Sequence, residues 1–238
     1  GIAAGSLSKE LPAFALQLYH RDDTTLLMRA RAAYALNKFA EAEKLFLESD
    51  AQSKKALENA QAVAEKLCKE RIESLEGAGR SASAQIHYAK ALDHFQAAAA
   101  LTDEKRDPLE WAGVQWGIAR ILDDSGKYRD AETIWRRILP IYEREKGGEN
   151  AQVSMIRNNL AKAKVIQGRP AEAEKELRAL RPLMERALGE EKLETLRSRN
   201  NLAVALFAQG KYAEAEAEHR AVLAIRERVL GAEHPDTL

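Results

Sequence analysis

A 42-residue step runs through the second half of this chain and constrains its fold more than any other feature. Gly126, Gly168 and Gly210 are related by it, as are Ala119, Ala161 and Ala203, Ala131, Ala173 and Ala215, and Gly147, Gly189 and Gly231. The pairs Asn159/Asn201 and Leu160/Leu202 follow the same step. A fixed period of this length means stacked copies of one supersecondary unit, each too small to bury its own apolar face. Each copy reads as two helices. In the third, Leu196, Leu202, Ala203, Leu206 and Phe207 recur at helical spacing until Gly210 breaks the run. Tyr212, Ala215 and Val222 then mark a second helix running to Leu230.

The matched alanines say how the pair is built. Ala119, Ala161 and Ala203 each stand twelve residues before Ala131, Ala173 and Ala215. With no atoms beyond Cβ, two helices can approach closely there, and a larger residue would force them apart. Pro170 falls in a first turn, where a missing N–H costs nothing. Pro140 and Pro182 fall inside second helices, where each removes a hydrogen bond and is expected to bend its helix.

Upstream the copies fade. Asn37-Lys38-Phe39-Ala40-Glu41-Ala42-Glu43 matches Gly210-Lys211-Tyr212-Ala213-Glu214-Ala215-Glu216 at five of seven positions. Adding 42 to Asn37 gives Gly79, expected to open a degenerate copy containing Ala84, with about five residues inserted near Thr102 to Pro108. Lys38 to Leu75 lacks glycine and proline. One very long helix is compatible with that, but two helices with a tight turn near Ser49–Ser53 fit the repeat better. His234-Pro235-Asp236-Thr237-Leu238 reads as the start of a further copy, and Gly1 stands where a processed or trimmed chain would begin.

Composition narrows function. With 37 basic and 37 acidic residues the net charge is zero, so the chain as a whole lacks the basic excess that a nucleic-acid backbone needs. Cys68 is the single cysteine, which removes an intrachain disulfide and any multi-cysteine metal site and fits a reducing, cytoplasmic setting. No apolar run approaches the length that spans a bilayer, and a peripheral membrane association stays open.

The Gly-Lys-Tyr-x-x-Ala-Glu pattern with its alanine twelve residues earlier resembles the tetratricopeptide-repeat (TPR) family. Arg199-Asn200-Asn201-Leu202-Ala203, Gln209-Gly210-Lys211-Tyr212 and Leu230-Gly231-Ala232-Glu233-His234-Pro235-Asp236-Thr237 resemble the kinesin light chain type of TPR. The second copy keeps Arg157-Asn158-Asn159-Leu160-Ala161 but has Arg169-Pro170 for Lys-Tyr, and the first carries Trp116-Gly117 where the others have an asparagine pair. The resemblance implies an all-α solenoid, a right-handed superhelix of about five repeats. Residues 1–107 form its degenerate N-terminal region and 108–238 three kinesin-light-chain-type repeats. It also implies a non-catalytic adaptor without cofactor. Small stand-alone proteins of this type resemble bacterial kinesin light chains, found alongside bacterial tubulins, so a tubulin-like filament is one expected partner. A peptide-sensing regulator, or the sensor region of a larger signalling protein, is the alternative.

In this family the first helix of each repeat lines a groove. Mapping those positions gives Trp116, Arg120 and Asp123, then Met155, Asn158, Lys162 and Val165, then Arg197, Asn200, Val204 and Phe207. An asparagine amide can both donate to and accept from an extended peptide backbone. Arg120, Lys162 and Arg197 would favour acidic side chains, and Trp116 and Phe207 offer apolar contact. The structural alternative is that Asn158 and Asn200 tie adjacent helices together.

Other patterns carry less. Gly77-Ala78-Gly79-Arg80-Ser81-Ala82 has dinucleotide-fingerprint spacing, but that motif needs a preceding strand and 66–76 reads as helix. His87 and His94 have no companion ligands. Asp123 and Asp124, adjacent on a helix, point apart and make a poor acid–base pair.

Overall fold

The structure is a computed structural model that describes residues 15–21, 23–234 and 237. It is 81% helix, with no strand among the described residues. After a helical segment at 15–20 come α1 (Leu26–Ala35), α2 (Phe39–Ala84), α3 (Tyr88–Ala99), α4 (Pro108–Asp124) and α5 (Tyr128–Lys146). They are followed by α6 (Ala151–Ile166), α7 (Pro170–Leu188), α8 (Leu193–Phe207) and α9 (Tyr212–Leu230). The further copy expected at 234–238 lies largely outside the described residues.

Local chemistry sets the helix ends. Pro108 opens α4 behind Asp107, whose carboxylate accepts from the Glu110 N–H at 3.0 Å. Asn150 caps α6 in the same manner, accepting from the Gln152 N–H at 2.8 Å. Pro140 and Pro182 stay within continuous helices. Five turns between paired helices share one construction. At each, an N–H just past the turn donates to a carbonyl five residues back: Lys38 to Ala33, His87 to Ala82, Lys127 to Leu122, Arg169 to Lys164 and Lys211 to Leu206, at 2.8–3.0 Å. This closure needs a left-handed residue, supplied by Gly126, Gly168 and Gly210 at φ of 76–80°. Asn37 and Ile86 take the same position at φ 61° and 62°.

Ile86 corrects the sequence reading. The second turn of the array is at Ile86, not Gly79, because Gly79 lies inside α2. Adding 40 to Gly79 gives Ala119, and Ala91 stands twelve residues after it. Gly79 therefore holds the close-packing position of the first helix. A Cβ built on it would sit 2.5 Å from the Phe95 ring. Ala84, expected to match the packed alanines, is exposed, while Ala91 is fully buried. The step from Ile86 to Gly126 is 40, so nothing is inserted there. The 100–107 connection is long because α3 is short, 12 residues against 19 in α5.

The expected turn at Ser49–Ser53 is absent, since α2 runs unbroken through 46 residues. Its sequence is rich in Ala, Leu, Glu and Lys and has no breaker before Gly77, so nothing local ends the helix. The same helix carries the dinucleotide-like Gly77–Ala82 stretch, which therefore has no strand before it.

The chain divides into two compact units, residues 1–69 and 70–238. In the first, Ala30, Ala32, Ala33 and Ala42 are buried, and the Lys38 ammonium lies 4.2 Å from the Tyr19 ring centre. In the second, each helix from α3 onward packs on the next, and α6 also packs on α8. The six alanines at 119, 161, 203, 131, 173 and 215 are all at most 2% exposed, as the spacing required. Around Ala161, Ala173 and Ala215, the side chains of Leu177, Leu202, Ala205 and Leu206 complete a core.

Candidate partner-binding groove

The first helices of consecutive pairs, α4, α6 and α8, present one side to a common cavity of about 460 Å³. A helix repeats its direction every three to four residues, so Trp116 and Arg120 on α4 emerge together, as do Met155, Asn158 and Lys162 on α6. Arg197 and Asn200 do the same on α8. Six of the eight residues singled out from sequence thus line one cavity: Trp116, Arg120, Asn158, Lys162, Arg197 and Asn200. Val204 and Phe207 are exposed but lie outside its lining, and Phe207 packs edge-on against Tyr212, with ring centres 5.2 Å apart. Val165, also mapped to the groove, packs instead against the core beside Ala161 and Leu177.

A second cavity, of about 500 Å³, adjoins the first through Trp116, Arg120 and Asp124 and continues towards Glu76 and Arg80 of α2. Gly113 and Gly117 form part of its wall. Gly117 explains why the first copy lacks the asparagine pair: a Cβ there would sit 2.0 Å from Phe95.

Of the three cations expected to favour acidic side chains of a partner, one already has a carboxylate. Lys162 is held by Asp123 at 2.8 Å, with its ammonium 5.0 Å from the Tyr128 ring centre. Arg120 and Arg197 are exposed and form no ion pair among the described residues. The lining also includes Asp124 and Glu194, so the groove is mixed in charge rather than basic. These carboxylates were missed because position along the repeat does not reveal which neighbouring side chains reach in.

The asparagines divide between both readings. Asn158 is only 7% exposed, and its Oδ1 accepts from Asn201 Nδ2 at 3.2 Å, tying α6 to α8. The tie uses Asn201 rather than Asn200, so Asn200 and Asn159 present amides to the cavity. Trp116 is fixed edge-on against Trp135 and Tyr142, with ring centres 5.1 and 5.5 Å away.

The pairs are locked together by polar bridges from a second helix to the turn that follows. Glu174 on α7 accepts from Lys211 at 2.6 Å, from Arg178 and Gln209 at 2.8 Å each. The Lys211 ammonium, with Arg178 and Gln209 behind it, outweighs burial and holds the Glu174 carboxyl at about 2. Glu132, one repeat earlier, is pushed up by burial but pulled below its usual range by Arg136 and Gln167. Among the described residues no helix is long and apolar enough to cross a membrane, and no group of three or more His, Cys, Asp or Glu side chains converges as a metal site.

Known proteins bear on this architecture in three ways. Residues 112–186 and 195–236 match tetratricopeptide-repeat family models. No curated protein sequence matches the chain. Solved structures do. BtubC (BKLC) from P. vanneervenii shares 17% identity at a TM-score of 0.57, covering 97% of this chain and 92% of that one. Kinesin light chain TPR-like repeats from Podosopora anserina share 19% identity at a TM-score of 0.53, covering 97% and 99%. A Rap protein complexed with competence and sporulation factor shares 15% identity at a TM-score of 0.58, covering 94% of this chain and 61% of that one. Identities this low speak for the fold alone. With the matched alanines and the repeated turn closure, they show that this chain carries tetratricopeptide repeats and folds as an all-helical TPR solenoid.

Proposed function

We propose that the chain is a non-catalytic scaffold that holds an extended segment of a partner protein in the groove across α4, α6 and α8. The observation that carries this is the convergence of Trp116, Arg120, Met155, Arg197 and Asn200 from three helices on one cavity. An extended segment has unpaired backbone groups, which the Asn159 and Asn200 amides can both donate to and accept from. Arg120 and Arg197, with no ion pair among the described residues, suit acidic side chains of the partner, and Trp116 supplies a rigid apolar wall. Lys162 stays with Asp123 and contributes little.

The finer reading, supported by the kinesin-light-chain resemblance, is a tubulin-like filament as partner. A stack of helix pairs can touch two subunits of a polymer at once and gains avidity that a free subunit does not give. Preferential binding to the assembled form stabilises it by linkage. The test is a pelleting assay with assembled and unassembled bacterial tubulin, using the parent and the Arg120→Glu/Arg197→Glu chain. Binding to polymer that weakens with salt and is lost in the double variant is expected. Binding that survives in the double variant would move the site off the groove, and no binding to either form would remove the filament partner.

A further inference from the structure

Between α5, α6 and α7 lies another cavity, of about 420 Å³, which shares no residue with the groove. Its floor is aliphatic, with Leu139, Leu160 and Leu183. Its rim sets Arg136, Arg157 and Lys164 against a single carboxylate, Glu176.

The repeat supplies an internal control. Adding 42 turns Leu139 into Arg181, Arg157 into Arg199, Lys164 into Leu206 and Glu176 into Glu218. In that next pair Arg181 and Arg199 both reach Glu218, at 2.8 and 3.0 Å. The Arg199 side chain is only 10% exposed, and Leu206 is fully buried. The equivalent space there is thus occupied by two guanidinium groups, a carboxylate and a leucine. In the α5–α7 gap Leu139 has no guanidinium to send in. Arg157 turns away to Glu143 at 2.8 Å, with its side chain 39% exposed, and Glu176 is met by Lys164 instead.

We propose that this cavity binds a free aliphatic carboxylate, its tail on the leucine floor and its head group at the Arg157 side of the rim. The volume lies in the range of small-molecule pockets, which combine an apolar lining with a few orienting charges. Each rim cation already has a carboxylate: Arg136 has Glu132 at 2.6 Å, Arg157 has Glu143, and Lys164 has Glu176. Arg157 is the one that can change partner. Arg199 shows that a guanidinium at this register also fits facing inward, and turning Arg157 inward exchanges Glu143 for the ligand carboxylate. Turned inward, the Arg157 guanidinium is the charge that selects a carboxylate head group over an ammonium.

The test is isothermal calorimetry on the full chain with decanoate and with decylammonium as probes. Decanoate is expected to saturate one site, with decylammonium roughly tenfold weaker. Leu139→Arg copies the next repeat, where Arg181 reaches Glu218, and is expected to fill the cavity and abolish decanoate binding without lowering the thermal melt. Arg157→Gln is expected to weaken decanoate roughly tenfold while leaving the cavity open. Should Leu139→Arg fail to fold, Ala179→Trp fills the same space without charge and reads the same outcome. No saturable decanoate binding, equal affinity for the two probes, or full binding by a folded, cavity-filled variant overturns the proposal.

Discussion

Phe95 is wedged between two glycines, and this makes a test in which the sign of an effect reverses. It is 3% exposed, with its ring against Gly79 of α2 on one side and Gly117 of α4 on the other. A Cβ at Gly117 would lie 2.0 Å from Cε1 and 2.5 Å from Cδ1 of Phe95, closer than atoms pack. Alanine is the better residue for a helix interior by about 0.8–1.0 kcal/mol. Overpacking of this kind costs roughly 1–3 kcal/mol. In the parent, Gly117→Ala should therefore range from neutral to about 2 kcal/mol destabilising. In a Phe95→Ala background, itself about 3–5 kcal/mol less stable, the obstructing ring is gone. There the same change should stabilise by about 1 kcal/mol. Urea unfolding followed by circular dichroism on the four chains gives the coupling, expected at roughly 1–3 kcal/mol. Equal stabilisation in both backgrounds would mean that Phe95 does not occupy this space, and the assignment of Gly79 and Gly117 as close-approach positions would fall.

Three further outcomes follow from the packing and the charges. Ala203→Leu, at a fully buried contact between α8 and α9, should lower stability by roughly 1–3 kcal/mol, and a melt equal to the parent's would contradict the helix pairing. Ile86 is 71% exposed and held at φ 62°, so Ile86→Gly should raise stability by about 1 kcal/mol in the same urea assay, and a loss would mean that the turn is not strained. Glu174 has a carboxyl held at about 2, below its ordinary 4.5, so its contribution is fully present above pH 4.5 and is lost as pH falls from there towards 2. Because Lys211 and Arg178 are nearly half exposed, screening limits that contribution to roughly 1–2 kcal/mol, and Glu174→Gln should flatten the acid limb of stability by about that amount.

What the sequence alone determined is the part of the fold that recurs locally. Gly126, Gly168 and Gly210 announce a left-handed turn residue, and the alanines twelve residues apart announce a helix contact, because each requirement selects one residue type and returns every 42 residues. Six of the eight residues singled out from sequence line one cavity for the same reason: a helix carries equivalent positions to equivalent sides. Tertiary structure decided the rest. A glycine reads alike whether it serves a turn or a close approach, and only the ring of Phe95 assigns Gly79 to the second role. Asn37 was legible through its match to Gly210, whereas Ile86 adopts the turn conformation without a residue that signals it. Lys162 is spoken for by Asp123, thirty-nine residues away, while Arg120 and Arg197 remain available. Charge pairing between helices depends on side-chain reach across a packed interface, which no spacing along the chain encodes.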